Sequence, residues 1–369
     1  MESMEQRINA AYAILHAMPE LGFKEFKTSA WLAEQLRAAG CQVRTGVAGT
    51  GIVAVLEGRE PGPVVGLRAD LDALPHQVDG QEVQVHSCGH DAHCAMVLAV
   101  AEALAGTGFR SGTVKFLFQP GEETLFGATR MIEAGVLDGL DILLGIHLRP
   151  IQEARTGQAT PALYHGASTV MEATLHGRTA HGARPHLGIN AIDAAAAVIQ
   201  AVNAIALDPM VPWSCKVTRL RAGGSAPNVI PDKAELALDL RAQRNDALAA
   251  LIERTEQAIR AGAATVGAGV EVALPASVPS AEYDPDIIAL AREAIRAVLG
   301  EEGLLDPVVS PGGDDVHRYV QAKPALRTGF IGLGCDLTPG LHDPAMSFHR
   351  PAMRQGAEIL LHMVRKLLA

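Results

Sequence analysis

The sequence predicts an α/β protein in which a small α+β domain is inserted into a larger domain. Two observations carry this prediction: strand patterns alternate with helix patterns along most of the chain, and this rhythm changes after about residue 166. The chain also has 369 residues, more than the roughly 100–200 residues of one typical domain. We therefore expect two domains.

In the first domain, short apolar segments predict strands and longer segments with a helical period predict helices. Thr28 is a candidate N-cap for the second helix, and Gly40 is its stop signal. In chain order, the predicted elements are helices at 4–18 and 28–39, strands at 51–58 and 63–71, a helix at 91–106, a strand at 113–119, a short helix near 126–135 and a strand at 141–148. This order predicts a largely buried sheet between layers of helices.

The next segment follows a different order. Its predicted elements are a strand at 168–177, an Ala-rich helix at 188–206, strands at 213–223 and 233–243, a helix at 244–264 and a strand at 270–276. This β-α-β-β-α-β order is the ferredoxin-like arrangement. A helix at 285–299, a strand at 325–334 and a helix at 351–368 then resume the first pattern. The predicted boundaries are a larger domain at 1–166 and 280–369 and an inserted domain at 167–279.

Composition excludes several classes of protein. Hydrophobic residues make up 48% and charged residues 20% of the chain, which excludes a disordered protein. A net charge of −10 disfavours a nucleic-acid partner. No apolar run approaches 18 residues, and the first residues, MESMEQR, lack the apolar stretch of a signal peptide. Five cysteines, an odd and sparse set, fit a reducing compartment. We expect a soluble cytoplasmic protein with no membrane partner.

Residues that can bind metals cluster at the ends of four predicted elements. Cys88 and His90 stand two residues apart on a Gly-containing turn before a helix, and this spacing suits one transition metal or a structural pair. Glu122 and Glu123 follow a strand, where they form either a metal ligand beside a general base or a solvated acidic turn. His147 and His342, at two further strand ends, are each by themselves consistent with structural histidines. The lack of a C-x2-C pair argues against a zinc ribbon or a zinc nucleobase deaminase.

Longer stretches carry a resemblance to a known family. They are LHAMPELGFKEFKTS at 15–29, GTGIVAVLEG at 49–58, LRADLDALP at 67–75, SCGHDAH at 87–93, FQPGEET at 118–124, HGRTAHGARPHLGINAIDAA at 176–195, APNVIPDKAELALDLRA at 226–242 and GLHDP at 340–344. In these motifs and their order, the chain resembles the amidohydrolase branch of the M20 metallopeptidase family, which contains N-acyl-amino-acid, hippurate and indole-acetyl-amino-acid hydrolases. The resemblance implies a mixed-sheet, zinc-peptidase-like catalytic domain with an inserted dimerisation or lid domain.

The resemblance also implies a role for individual residues. A binuclear metal site would use Cys88, His90, Glu123, His147 and His342. Glu122 matches the general base that later protonates the leaving amine, and Asp72 matches a carboxylate that orients a metal ligand. In the inserted domain, His181 matches a histidine that reaches a neighbouring active site and stabilises the oxyanion. Asn228 and Arg241 match groups that hold the substrate, although Arg241 is equally consistent with a surface charge.

The implied activity is hydrolysis of the amide bond of N-acyl amino acids, or related N-acyl amines, by a metal-bound water with Glu122 as base. The implied cofactors are two divalent transition-metal ions per subunit (Zn, Mn, Co or Ni). The implied assembly is a homodimer. A dipeptidase or an aromatic amine deaminase with the same site is the alternative. A non-catalytic binding module is a further alternative, but it would be expected to have lost a ligand or the base.

Two segments depart from the family pattern. The link at 76–86 is shorter than usual and lacks the expected acidic residue. Gly313–Tyr319 replaces a Glu-Asp-Phe stretch. In this segment, His317 and Tyr319 either line a different acyl pocket or pack in the core.

Overall fold

The computed structural model describes residues 3–369. Over this range the chain forms nine α-helices: α1 (Met4–His16), α2 (Phe26–Ala38), α3 (His90–Thr107), α4 (Gly127–Glu133), α5 (Ala191–Asn203), α6 (Asn245–Ala264), α7 (Pro285–Leu299), α8 (His317–Ala322) and α9 (Ala352–Leu367). The strands are β1 (Gln42–Val47), β2 (Gly51–Glu57), β3 (Glu60–Asp70), β4 (Leu74–Val78), β5 (Gln81–Val85), β6 (Ser111–Gln119), β7 (Ile142–Pro150), β8 (Ala159–Thr160), β9 (Leu163–His165), β10 (Ala167–His176), β11 (Ala180–His181), β12 (Trp213–Ala222), β13 (Val229–Ile230), β14 (Lys233–Ala242), β15 (Gly269–Val278), β16 (Val308–Ser310) and β17 (Arg327–Leu337).

The chain divides into two compact units. The first contains the residues up to Tyr164, Glu282–Val309 and Asp315–Ala369. The second contains His165–Ala281 together with Ser310–Asp314. A short segment beyond residue 309 therefore belongs to the second unit, although the sequence pattern assigned it to the flanking domain.

A seven-stranded mixed sheet forms the centre of the first unit, in the order β1-β2-β6-β3-β7-β17-β8. The four central strands β6, β3, β7 and β17 are parallel to one another, and the outer strands β2 and β8 pair antiparallel with β6 and β17. Alternate side chains of one strand enter different apolar clusters: Phe116 and Phe118 belong to one, and Leu117 belongs to the other. Because both faces of the sheet are covered, its strands appear in the sequence as almost continuous apolar segments.

The second unit has the predicted β-α-β-β-α-β order. Its sheet is antiparallel throughout, in the order β12-β14-β10-β15, and α5 and α6 pack on each other and on this sheet. A Cβ atom at Gly262 would lie 2.7 Å from Cα of Val198, so this crossing of α5 and α6 needs a glycine. The ferredoxin-like prediction is confirmed.

Two local predictions differ from the structure. The link at 76–86 contains most of a β-hairpin, β4–β5, which turns at Asp79 and Gly80 with φ of 51° and 76°. A pair of left-handed residues is the typical two-residue hairpin turn, so the Asp-Gly pair was an available signal. Thr28 is not the cap of α2, because α2 begins at Phe26 and the carboxylate of Glu20 accepts hydrogen bonds from the main-chain N–H groups of Lys27 and Thr28.

No helix within the described part of the chain is both long and apolar enough to cross a membrane.

Candidate metal centre

The predicted ligands gather at one edge of the first unit's sheet. Asp72 follows β3, Glu122 and Glu123 follow β6, His147 lies near the end of β7, and His342 follows β17. These four strands are parallel neighbours, so their carboxyl ends meet at one edge, where open α/β sheets bind ligands.

Cys88 and His90 reach this edge from the start of α3. Gly89, between them, has φ of 88°, and a Cβ atom there would lie 2.9 Å from the Leu148 side chain. Only glycine satisfies both the left-handed backbone and this close approach. The turn buries Cys88 and His90 side by side.

The structure brings all five predicted metal ligands and Glu122 together. Three trios have ligand atoms within 4.8 Å of one another: Cys88 with His90 and His147, Cys88 with Glu123 and His342, and His90 with Glu122 and Glu123. The first two trios share Cys88. Thiolate, imidazole and carboxylate together form a donor set for transition metals rather than for Mg²⁺ or Ca²⁺.

His90 has one ring nitrogen committed to the protein and one that suits a metal. Its Nδ1 lies 3.0 Å from the carbonyl oxygen and 3.2 Å from Oδ1 of Asp72. Since both are acceptors, Nδ1 donates its proton to them, and Nε2 is the ring nitrogen left for a metal. That Nε2 is buried and has no hydrogen-bond partner among residues 3–369. A metal ion fits this orphaned atom, and the contacts with Asp72 hold the ring in this orientation.

His147 is oriented in the same way. Its Nδ1 donates to the carbonyl oxygen of Leu148 at 2.7 Å, and its Nε2 faces Sγ of Cys88 at 3.5 Å. The buried His93 accepts a hydrogen bond at Nε2 from the N–H of Leu148 (3.1 Å) and packs edge-on against the His147 ring. His93 stands in the SCGHDAH motif, but the sequence analysis gave it no role. The structure shows that it supports the strand end that carries His147.

The pKa shifts of the candidate ligands also agree with a site for a cation. Burial raises the pKa of Cys88, which disfavours the thiolate unless a positive charge is near. The hydrogen bonds of His342 to Cys88 and Glu123 raise its pKa to about 10. Burial lowers the pKa of His90, but the charge of Cys88 and the bond to Asp72 outweigh it and leave the pKa well above its usual value.

Glu122 lies beside the ligands, with 7% of its surface exposed. Its Oε1 accepts a hydrogen bond from the main-chain N–H of Asp315 at 3.4 Å. Its Oε2 lies 3.9 Å from Nε2 of His90. A carboxylate at this position can exchange a proton with a water molecule held at the ligand cluster.

The three predicted substrate residues lie in the second unit. His181 is exposed on β11, and the neighbouring Gly182 donates its N–H to the carbonyl oxygen of Asn228, so His181 and Asn228 belong to one local structure. Arg241, on β14, binds both carboxylate oxygens of Asp239 at 2.8 and 3.1 Å. A substrate carboxylate would therefore compete with Asp239 for the guanidinium fork of Arg241.

His317 and Tyr319 pack in the core. Both are buried, and the Tyr319 hydroxyl donates to Oε1 of Gln119 at 2.9 Å. The cavity beside His317 measures about 10 Å³, which is room for no more than about one water molecule. Of the two alternatives for these residues, the structure shows packing rather than an acyl pocket.

Comparison with known proteins agrees with this geometry. Residues 66–366 match the family described as Peptidase family M20/M25/M40. An N-acetylcysteine deacetylase of Bacillus subtilis is 33% identical over 359 residues, covering 92% of this chain and 91% of the relative. The indole-3-acetyl-aspartic acid hydrolase of Enterobacter agglomerans is 32% identical over 339 residues, covering 84% and 75%.

A solved structure gives the same result. The Bacillus subtilis YXEP protein, described as a dinuclear metal-binding peptidase of the M20 family, is 28% identical and superimposes with a TM-score of 0.84 over 99% of this chain and 98% of its own. The likeness therefore extends over both units. The chain belongs to the M20 peptidase family and is a metal-dependent amidohydrolase.

Proposed function

We propose that this protein hydrolyses the amide bond of N-acyl amino acids, or of related N-acyl amines, with Glu122 as general base. The observation that supports it most is Glu122 itself, a carboxylate placed 3.9 Å from Nε2 of the buried His90 within a cluster of metal-binding side chains. The relatives' names point to the substrate class, because an N-acetylcysteine deacetylase and an indole-3-acetyl-aspartic acid hydrolase both act on an acylated amino acid.

We propose further that two divalent transition-metal ions, Zn²⁺, Mn²⁺, Co²⁺ or Ni²⁺, bind here. The residues that would hold them are Cys88, His90, Glu123, His147 and His342. Cys88 is common to the trio with His90 and His147 and to the trio with Glu123 and His342. When bound, such ions lower the pKa of a water molecule at the site to about 7 and polarise the substrate carbonyl.

The protein's own groups perform the proton transfers. Glu122 removes the proton from the attacking water and later delivers it to the nitrogen of the leaving amine, which departs as a neutral amine. The hydrogen bond from the Asp315 N–H orients Oε1, so Oε2 is the oxygen directed toward the ligand cluster. Burial keeps bulk water from competing for this proton.

The second unit is proposed to pair two copies of the chain, so that His181 of the partner subunit stabilises the oxyanion in each active site. Strand β12 is an edge strand with an exposed second half, and Leu220, Ile192 and Val229 are exposed apolar side chains in the same unit. An open and exposed strand edge favours pairing with another strand. Sedimentation of the active enzyme should show a dimer, and a fully active monomer would contradict this proposal.

A panel of N-acyl amino acids, followed by mass spectrometry with and without a chelator, tests the proposed reaction. We expect equal amounts of acid and amino acid to be released, and release to stop when the chelator removes the metal. Cleavage of dipeptides alone would instead make the protein a dipeptidase, and ammonia release from aromatic amines would make it a deaminase. No release from any compound, with metal bound, would contradict the proposal and direct attention to the β4–β5 hairpin.

A further inference from the structure

The turn that carries Glu122 and Glu123 is too short for its internal hydrogen bonds alone to fix its conformation. It is a single 3₁₀ turn, Glu122–Thr124, between two residues with left-handed backbones, Gly121 (φ 62°) and Leu125 (φ 63°). One turn of this kind has few internal hydrogen bonds. The direction of the Glu122 side chain therefore depends on groups outside the turn.

Glu25 is one of these groups, and it lies far away in the sequence. Its side chain is completely buried just before α2. Oε1 accepts a hydrogen bond from the N–H of Gly121 at 2.9 Å, and Oε2 accepts one from the Thr50 hydroxyl. The residue that Glu25 holds is therefore the immediate neighbour of Glu122.

The chain around Glu25 also restricts the turn sterically. A Cβ atom at Gly121 would lie 2.6 Å from the ring of Phe23, and one at Gly22 would lie 2.8 Å from the Thr124 side chain. The segment 22–25 thus packs against the turn so closely that neither Gly22 nor Gly121 has room for a Cβ atom. Such close packing restricts the turn to one conformation, as long as its buried polar groups have hydrogen-bond partners.

We infer that Glu25 is a positioning residue for Glu122: it fixes the Gly121 N–H and, through it, the direction of the base. This inference rests on the proposed function, in which Glu122 is the general base. Glu25 itself touches neither the ligand cluster trios nor the reacting atoms, so it acts only through the turn. Placement errors of about 1 Å at a reacting group cost up to about 100-fold in rate.

Three variants separate this role from a contribution to stability. Glu25→Gln keeps an amide oxygen for the Gly121 N–H and offers its NH₂ group to the Thr50 oxygen, so both contacts survive. Glu25→Leu has similar size but leaves the buried N–H of Gly121 without an acceptor. Thr50→Val is the matched control, because it removes the other hydrogen bond of Glu25 and leaves Gly121 bound.

The test measures kcat and KM for a substrate found in the panel, per folded and metal-loaded molecule, together with hydrogen exchange of the 121–125 amides. In Glu25→Leu we expect kcat to fall about 10- to 100-fold, KM to change less than about 3-fold, and the amides of residues 121–125 to exchange faster, residue 120 being a proline without an N–H. Glu25→Gln and Thr50→Val should stay within about 3-fold of the parent in kcat, with unchanged exchange.

Normal kcat and exchange in Glu25→Leu would overturn the inference, and so would an equal loss of kcat in Thr50→Val. If Glu25→Leu does not fold, Glu25→Met, which likewise has no oxygen for the Gly121 N–H, is measured against the same criteria. Glu122→Gln is measured in parallel. If it stays active, the proposed base is wrong, whereas an inactive Glu122→Gln beside a normal Glu25→Leu contradicts only the role of Glu25.

Discussion

Glu122→Gln is expected to lower turnover by a factor of about 10²–10⁴ while fold and metal content stay unchanged. Glutamine has the shape of glutamate and keeps an oxygen for the N–H of Asp315, so the side chain should hold its place. It cannot accept the proton of the attacking water at neutral pH. The measurement is kcat on the best panel substrate, with the bound metal quantified in the same sample.

Cys88→Ser provides the contrasting variant. Cys88 belongs to two of the ligand trios, so its replacement should reduce metal content first and activity as a consequence. The two variants therefore separate loss of the base from loss of the metal. Near-normal turnover in Glu122→Gln would exclude it as the base, and unchanged metal content in Cys88→Ser would remove Cys88 from the ligand set.

Arg68→Met should lower the free energy of unfolding of the first unit by about 3–5 kcal/mol. Arg68 is 1% exposed, and its Nη2 lies 2.6 Å from Asp70 and 2.9 Å from Asp315, both buried carboxylates. Its Nε also donates to Oε1 of Gln119 at 3.1 Å. The variant removes the cation that these two carboxylates share, and uncompensated buried charge is among the largest single destabilisations known.

Urea unfolding of the metal-loaded protein measures this effect. Arg110→Met is the matched control, because Arg110 also pairs with a carboxylate, Glu60 at 3.2 Å, but both side chains are largely exposed. Exposed pairs of this kind contribute about 0–1 kcal/mol. Equal stabilities for the two variants would show that the buried network around Arg68 does not support the fold.

Local patterns along the chain were enough to predict part of this structure. The alternation of strands and helices, the β-α-β-β-α-β order of the second unit and the presence of donors at four strand ends all appear in the order of apolar and turn residues. Parallel strands bring their carboxyl ends to one edge, so residues such as His147 and His342 could be expected near each other before any coordinates. Motif order then pointed to the M20 family, to which the chain belongs.

The polar groups that hold these donors in place became visible only in the folded chain. The N–H of Gly121 is 96 residues from Glu25, and Arg68 is 247 residues from Asp315. Such contacts leave no periodic signal, because a buried charge is tolerated only where distant chain segments supply its partner. The sequence showed Glu25 and Arg68 inside recognisable motifs but gave no partner for either. Periodicity reports which face of an element is buried, whereas the pairing of buried polar groups depends on how the whole chain packs.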